Sequence, residues 1–196
     1  GAVGLISSYW SKAFGANKIF SARTEKIPNV DLNLEDYTML YRMVENGTTP
    51  KVKIISTSKD LGDMPTFNTI AQIKGVEKPE EYVILSAHFD SWDGGQGTTD
   101  NGTGSLVMME AMRILKKIYP NPKRTIIAAH WGSEEQGLNG SSAFVEDHPE
   151  IVENIQALFN QDNGTGRVAK INGHGFTEAY RFIGEWLEFV PSEIKD

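Results

Sequence analysis

The amino-acid sequence predicts an α/β protein in which helices cover both faces of a central sheet. Two patterns support this fold class. After residue 63, strand-like and helix-like segments alternate along the chain. The strand-like segments are nearly continuous apolar runs, which are typical of strands in the interior of a sheet. Ligands of such sheets bind beyond the carboxyl ends of the strands, so the residues that follow each strand are candidates for a functional site.

Four strands and three helices are predicted after residue 63. The strands cover residues 67–73, 82–87, 125–131 and 155–160, and the helices cover about 104–118, a segment that begins with 141–147, and a last segment within 176–190. In the first helix Val107, Ala111 and Leu115 recur at helical spacing, and Pro120 and Pro122 end it.

Residues 1–63 have a different character. They contain an apolar opening over 2–10, a segment over 27–32, a helix-like stretch over 36–45 and an alternating run over 51–56 that predicts a strand. Turn residues between Gly62 and Pro65 predict a boundary, with one domain over 1–63 and a second over 64–196. Because the chain opens on Gly1 with no initiator methionine and no signal segment, we expect it to be a fragment.

Composition excludes several classes of protein. The chain has 196 residues, a net charge of −7 and no cysteine. A disulfide scaffold and a thiolate zinc finger both need cysteines. The acidic balance disfavours nucleic acid as a partner, because nucleic-acid binders use basic surface. No apolar run approaches the ~20 residues that span a bilayer, so no membrane span is expected.

Residues that can bind metal follow each buried strand. His88 and Asp90 follow the first strand, Glu134 and Glu135 follow the second, and Asp162 follows the third. Asp100, in the loop between the first strand and its helix, belongs to the same edge of the predicted sheet. These six side chains are therefore expected to converge.

The chemistry of this set favours zinc, or another divalent ion such as manganese or cobalt. Several carboxylates in one small site repel one another unless cations lie among them. Two metals about 3.5–4 Å apart that share a bridging carboxylate would relieve this repulsion. Of the adjacent Glu134 and Glu135, one can bind metal while the other faces substrate. We assign Glu135 to the metal and Glu134 to the general base that acts on water.

Each of these residues also has a structural explanation. A single histidine at a strand end is more often structural than a ligand, an aspartate beside glycine is usually a turn residue, and paired glutamates are usually solvated. Such explanations become improbable when they must hold at every consecutive strand end. Complete dinucleotide, P-loop and serine-hydrolase motifs are missing from the sequence. Of the other histidines, His130 is expected in the core and His148 in a surface turn, and His174 is a weak candidate ligand.

Four motifs together resemble the co-catalytic zinc exopeptidases, a family that includes bacterial leucyl aminopeptidases and glutamate carboxypeptidases. The motifs are residues 88–93 (HFDSWD), 99–102 (TDNG), 134–137 (EEQG) and Asp162. They match the family in order and spacing over about residues 66–165. Residues 1–63 are more weakly similar to the C-terminal part of a protease-associated domain. Residues 64–196 would then form the N-terminal part of the catalytic domain.

The resemblance implies a three-layer α/β/α sandwich with a mixed, mostly parallel sheet, and two Zn²⁺ ions per complete catalytic domain. His88 and Asp162 would hold one zinc, Asp100 would bridge to the second, and Glu135 would hold that second zinc. Asp90 would orient His88, and Glu134 would act as general base and then acid. It further implies a cis peptide after Asp100 and a final histidine ligand that lies downstream of this chain. The fragment alone is therefore expected to be inactive.

The implied function is hydrolysis of a terminal peptide bond in dipeptides or short peptides, by water that lies between the metals and is activated by Glu134. The family resemblance also implies a secreted or periplasmic location. Two alternatives stay open at this point: a non-catalytic binding or receptor-type domain on the same fold, and a glutaminyl cyclase-like enzyme.

Overall fold

The computed structural model describes residues 1–8, 26–55, 57, 59, 61–92, 95–162 and 164–195. Its elements are β1 (Leu5–Ser7), β2 (Asn29–Asp31), α1 (Leu34–Glu45), β3 (Thr69–Ile73), β4 (Lys78–His88), α2 (Gly102–Ile118), β5 (Arg124–Trp131), α3 (Asn139–Asp147), α4 (Pro149–Val152), β6 (Ile155–Asn160), α5 (Ala179–Leu187) and α6 (Ser192–Lys195). The chain divides into two compact units, residues 1–164 and residues 165–196.

The central sheet of the first unit has the strand order β3-β5-β4-β6. Strand β4 pairs in parallel with β5 and with β6, whereas β3 pairs antiparallel to β5. The predicted mixed, mostly parallel sheet is thus confirmed. The register places His88 opposite Trp131, so β4 and β5 end at the same level.

Helix α2 covers one face of this sheet, and helices α3 and α4 cover the other. The connection from β4 to β5 through α2 and the connection from β5 to β6 through α3 and α4 run in opposite directions across the sheet. Because crossovers between parallel strands are right-handed, the two connections lie on opposite faces. The result is the helix–sheet–helix layering that the sequence predicted.

One hydrophobic cluster of the core lies between the sheet and α3. It consists of Ile84, Ile127, Ala129, Trp131 and Phe144, all of which are buried. The rings of Trp131 and Phe144 pack with centroids 5.1 Å apart. In β4 and β5 the residues two apart share a face, so the row that starts at Ile84 leads along the same face to His88 at the strand end.

Residues 1–55 contain a separate small sheet. Strands β1 and β2 pair in parallel, and the Ser7 hydroxyl donates a hydrogen bond to Asp31. Helix α1 follows, and the Asn33 side chain caps it by accepting the Asp36 N–H at 2.8 Å. The domain boundary that the sequence predicts near residue 63 stays a prediction.

The strand predicted over 51–56 is wrong for the residues that the structure describes. Residues 51–55 belong to no helix or strand, and Ser56 lies outside the described residues. Alternation of Lys51, Val52 and Lys53 is compatible with a strand, but a strand also needs a partner for its backbone groups. Among the described residues, this segment pairs with none.

The remaining boundaries differ from the predicted ones by a few residues. Strand β6 spans the predicted residues 155–160, whereas β4 begins four residues earlier than predicted and α2 begins two residues earlier. Helix α5 is shorter than the predicted segment.

The second unit contains α5 and α6, and within it Arg167 donates a hydrogen bond to the carbonyl of Ile194 at 2.9 Å. Among the described residues, no helix combines the length and the hydrophobicity that crossing a bilayer requires.

Candidate metal centre

Three predicted ligands meet at the edge of the sheet where β4 and β6 end. His88 is the last residue of β4, Asp162 follows β6, and Asp100 lies in the loop before α2. Their ligand-capable atoms all lie within 4.8 Å of one another. His88 Nε2 is 3.0 Å from Asp100 Oδ1 and 3.1 Å from Asp162 Oδ1. The convergence of strand ends that the sequence predicted therefore occurs for these three residues.

The orientation of the His88 ring follows from its other nitrogen. The ring is only 3% exposed, and its Nδ1 lies 3.0 Å from the backbone carbonyl of Asp90. A carbonyl oxygen can only accept, so Nδ1 carries a proton and Nε2 points at the carboxylates of Asp100 and Asp162. A neutral ring would place a lone pair against two anions, so the arrangement requires either a proton or a cation at Nε2.

The electrostatics of the cluster are consistent with this requirement. Burial lowers the pKa of His88, but the negative charges of Asp162 and Glu134 and the hydrogen bonds to Asp90 and Asp100 more than offset it. The net result is a pKa above the ordinary value for histidine. A buried imidazole nitrogen facing two carboxylate oxygens fits the ligand set of zinc. Bound there, the ion would replace the proton.

Glu134 lies beside these three residues. Its Oε2 is 3.9 Å from His88 Nε2, and its side chain is 23% exposed. Burial raises the pKa of Glu134 above the ordinary value; His88 acts in the opposite direction, and the nearby aspartates raise it again. A carboxylate that takes up protons more readily than usual is suited to general-base chemistry.

Asp90 contacts two parts of the site. Its backbone carbonyl bonds the His88 ring, whereas its carboxylate Oδ1 is 3.6 Å from His88 Nδ1. The carboxylate instead accepts the backbone N–H of Glu134 at 2.9 Å and that of Glu135 at 3.1 Å. Asp90 thereby links the end of β4 to the turn that carries the paired glutamates.

Glu135 follows Glu134 on the same turn. It is half-buried, and its backbone is held by Asp90, but it is not part of the three-residue cluster found among the described residues. Its assignment to the second metal stays a prediction. Asp93, which belongs to the first motif, lies outside the described residues.

Asn101 is a structural contributor to the site that the sequence reasoning did not identify. Its side chain is 2% exposed. The side-chain N–H donates to the carbonyl of Gln161 at 2.9 Å, and its oxygen caps α2 by accepting the Gly104 N–H at 3.0 Å. It therefore ties the loop of Asp100 to the end of β6, next to Asp162. The peptide between Asp100 and Asn101 is cis, as the resemblance implied.

The other three histidines have separate surroundings. His130 is buried, packs edge-on against Phe89 with ring centroids 5.8 Å apart, and has a pKa that burial lowers. His148 is exposed, with its Nδ1 3.4 Å from a Glu150 oxygen. His174 belongs to the second unit, where its backbone N–H donates a hydrogen bond to the side-chain oxygen of Asn172.

A cavity of about 310 Å³ opens beside the cluster. His88, Glu134 and Asp162 reach it, and most of its other lining residues are apolar, among them Trp131 and Phe144. The fold and the side chains together define an α/β protein with a histidine and two carboxylates that could hold a metal ion, next to a further carboxylate, that of Glu134. This is the arrangement expected of a metal-dependent hydrolase.

Comparison with known proteins agrees with this class. The family model described as Peptidase family M28 matches residues 68–180. The chain therefore belongs to peptidase family M28, and the family resemblance found in its motifs is confirmed.

Curated relatives and a solved structure support the assignment. Carboxypeptidase Q of Xenopus laevis is 34% identical over 165 residues, which are 84% of this chain and 35% of that protein. Carboxypeptidase Q of Bos taurus is 38% identical over 71% of this chain and 30% of that protein. A crystal structure of a peptidase M28 precursor from Shewanella amazonensis SB2B is 25% identical, with a TM-score of 0.63, and the match covers 86% of this chain and 39% of that one. The chain thus spans about a third of the length of these curated relatives.

Proposed function

We propose that this chain forms part of a metal-dependent exopeptidase that removes a terminal residue from dipeptides or short peptides. The observation that supports the proposal most strongly is the convergence of His88, Asp100 and Asp162, with Glu134 3.9 Å from the His88 ring. Membership of a peptidase family supplies the reaction class. We further propose that the protein acts outside the cytoplasm, the location that the family resemblance of its motifs implies.

His88, Asp100 and Asp162 would hold the first zinc ion. Asp100 and Glu135 would hold a second ion. When bound, the ions would polarise the peptide carbonyl and lower the pKa of water at the site. Two ions would also offset the repulsion among the clustered carboxylates.

The protein's own contribution to the reaction is proton transfer. Glu134 would take a proton from the attacking water and return it to the nitrogen of the leaving amine. Burial raises the pKa of Glu134, which favours the protonated carboxyl that the second step needs. Asp90 would keep Glu134 in reach of the water by holding the backbone N–H of that residue.

The variant Glu134→Gln tests this role in the product of the complete open reading frame. We expect zinc content to be unchanged, because Glu134 is not assigned as a ligand, and dipeptide hydrolysis to fall by about 10²–10⁴-fold. Glu150→Gln is the matched control, since Glu150 is exposed and its carboxylate contacts His148. Full activity in Glu134→Gln would refute the assignment.

The substrate panel should include dipeptides, peptides blocked at either end, and peptides with an N-terminal glutamine. Blocked peptides separate an aminopeptidase from a carboxypeptidase, and both names occur among the relatives. Cyclisation of the glutaminyl peptides without hydrolysis would identify a glutaminyl cyclase instead. Metal binding without turnover of any substrate would identify a binding domain.

A further inference from the structure

The turn that carries Glu134 and Glu135 is closed at its base by glycines. It leaves β5 at Gly132 and ends at Gly140, in the first turn of α3, and both of these residues are buried whereas residues 136–139 are exposed. The Gly140 N–H donates to the Gly132 carbonyl at 3.0 Å, and the Asn139 N–H donates to the Ser133 carbonyl at 3.1 Å. The paired glutamates thus sit on a loop whose two ends are joined by backbone hydrogen bonds.

A side chain from another part of the sequence bridges this base. Asn68, just before β3, accepts the Gly132 N–H with its Oδ1 at 3.0 Å and donates from Nδ2 to the Gly140 carbonyl at 2.8 Å. The antiparallel pairing of β3 with β5 brings Asn68 to this place, since the neighbouring Thr69 lies opposite His130. One amide group therefore satisfies a donor at the start of the turn and an acceptor at its end.

The packing around this amide is close. A Cβ atom at Gly140 would lie 2.3 Å from Asn68 Oδ1 and 2.4 Å from the Gly132 carbonyl oxygen. A Cβ atom at Gly132 would lie 2.3 Å from the Phe67 carbonyl oxygen. Real Cβ atoms do not approach so closely, so the two glycines allow the segment of Asn68 to contact the base of the turn directly. Asparagine, with one acceptor and one donor on a short stem, matches these backbone groups.

We propose that Asn68 is a positioning residue that sets where Glu134 and Glu135 stand relative to His88. The turn is held at two places: Asn68 binds its base, and the Asp90 carboxylate binds the N–H groups of the two glutamates. Without Asn68, the Gly132 N–H and the Gly140 carbonyl lose this partner, and the backbone hydrogen bonds at the base and the Asp90 carboxylate are left to hold the turn. The effect on catalysis rests on the proposed function of the glutamates, whereas the effect on the turn does not.

Amide hydrogen exchange on this 196-residue chain tests the effect on the turn. In Asn68→Ala we expect faster exchange in a peptide that covers residues 132–135, and unchanged exchange in peptides from β4 and β6. Asn68→Asp keeps the acceptor for Gly132 but loses the donor to Gly140, so an intermediate rate is expected. The matched control is Asn154→Ala, because Asn154 is a half-buried asparagine outside the turn that also donates to a backbone carbonyl, that of Glu150. Unchanged exchange at residues 132–135, or equal acceleration throughout the sheet, would overturn the proposal.

Kinetics of the complete gene product test the catalytic consequence. Loss of a residue that orients others at a metal site typically costs about 10–100-fold. We expect a decrease of this size in kcat for Asn68→Ala, a KM close to that of the wild type, and partial recovery in Asn68→Asp. A change in stability alone, with kcat per folded molecule unchanged, would contradict the positioning role of Asn68 in catalysis. If the wild type hydrolyses no peptide, the proposed function fails, and hydrogen exchange alone decides whether Asn68 holds the turn.

Discussion

The sheet region, residues 68–162, and the second unit, residues 165–196, hold their side chains in different ways. In the sheet region, apolar residues of β4, β5 and α3 form a buried core, and polar side chains bridge segments that are far apart in the sequence. In the second unit, α5 has a strongly apolar composition, yet none of its described residues is buried, and Phe189 beyond it is 87% exposed. The difference shows what a catalytic arrangement requires: ligands that are fixed by packing beneath them and by hydrogen bonds around them.

The largest expected effect is on the free energy of unfolding, compared between substitutions of two phenylalanines. Phe144→Ala removes a ring that is 6% exposed and packs on Trp131, so it should lower the free energy of unfolding by about 3–5 kcal/mol. Phe189→Ala, at the exposed position, should change it by less than about 0.5 kcal/mol. Urea unfolding of the 196-residue chain measures both. Equal effects would show that the two regions do not differ in packing.

The next largest effect is on zinc affinity, compared between substitutions of two histidines. His88→Ala removes a buried ring that faces two carboxylates, and zinc affinity of the complete gene product should fall by more than about 100-fold, beyond the usual cost of losing an outer-shell partner. His174→Ala should leave zinc affinity unchanged, because His174 is not part of the cluster that His88, Asp100 and Asp162 form among the described residues. Calorimetric zinc titrations provide the comparison. A similar loss in both variants would contradict the assignment of the site to the strand ends.

The sequence predicted the sheet region well because its signals are local. The apolar runs of β4, β5 and β6 identify strands of the sheet, although β6 is largely exposed, and the polar residues that follow them identify the edge where a site forms. The run at 51–56 failed by the same reasoning, since alternation resembles a strand whether or not a partner strand exists. Local patterns also predicted the cluster of His88, Asp100 and Asp162. The carboxyl ends of parallel strands lie at the same edge of a sheet, so the residues that follow these strands are brought to that edge.

What the sequence could not provide were contacts across long separations. Asn101 bonds a carbonyl 60 residues away, and Asn68 bonds a carbonyl 72 residues away. When only their sequence neighbours are considered, both residues resemble ordinary turn or helix-cap residues. Asp90 is a similar case. Its position next to His88 suggested that its carboxylate orients the ring, but the carbonyl makes that bond and the carboxylate binds a turn 44 residues away.

The smallest effect is a pH dependence of stability in the metal-free chain. His88 has a higher pKa in the folded chain than its ordinary value of 6.5, so folding favours its protonated form. Its contribution is fully present below about pH 6.5 and is lost as the pH rises through the higher folded pKa. The pKa of Glu134 is also raised in the folded chain, so its contribution to stability is likewise lost as the pH rises, beginning at a lower pH.

The difference in unfolding free energy between the wild type and His88→Asn, measured from pH 6 to pH 8.5, isolates this contribution. The subtraction cancels that of His130, whose lowered pKa acts in the opposite direction. The wild type should lose relative stability as the pH rises. A difference that stays constant or grows with pH would mean that the carboxylates do not stabilise a charge on His88.

The central claim is that the strand ends of this sheet bind catalytic metal. The most direct measurement is anomalous diffraction at the zinc edge from crystals of the complete gene product. We expect a zinc peak about 2.0–2.2 Å from His88 Nε2 and from oxygens of Asp100 and Asp162, with Glu134 near the ion but not bound to it. A zinc-loaded, active protein with no peak at these three residues, or with zinc bound elsewhere, would contradict it.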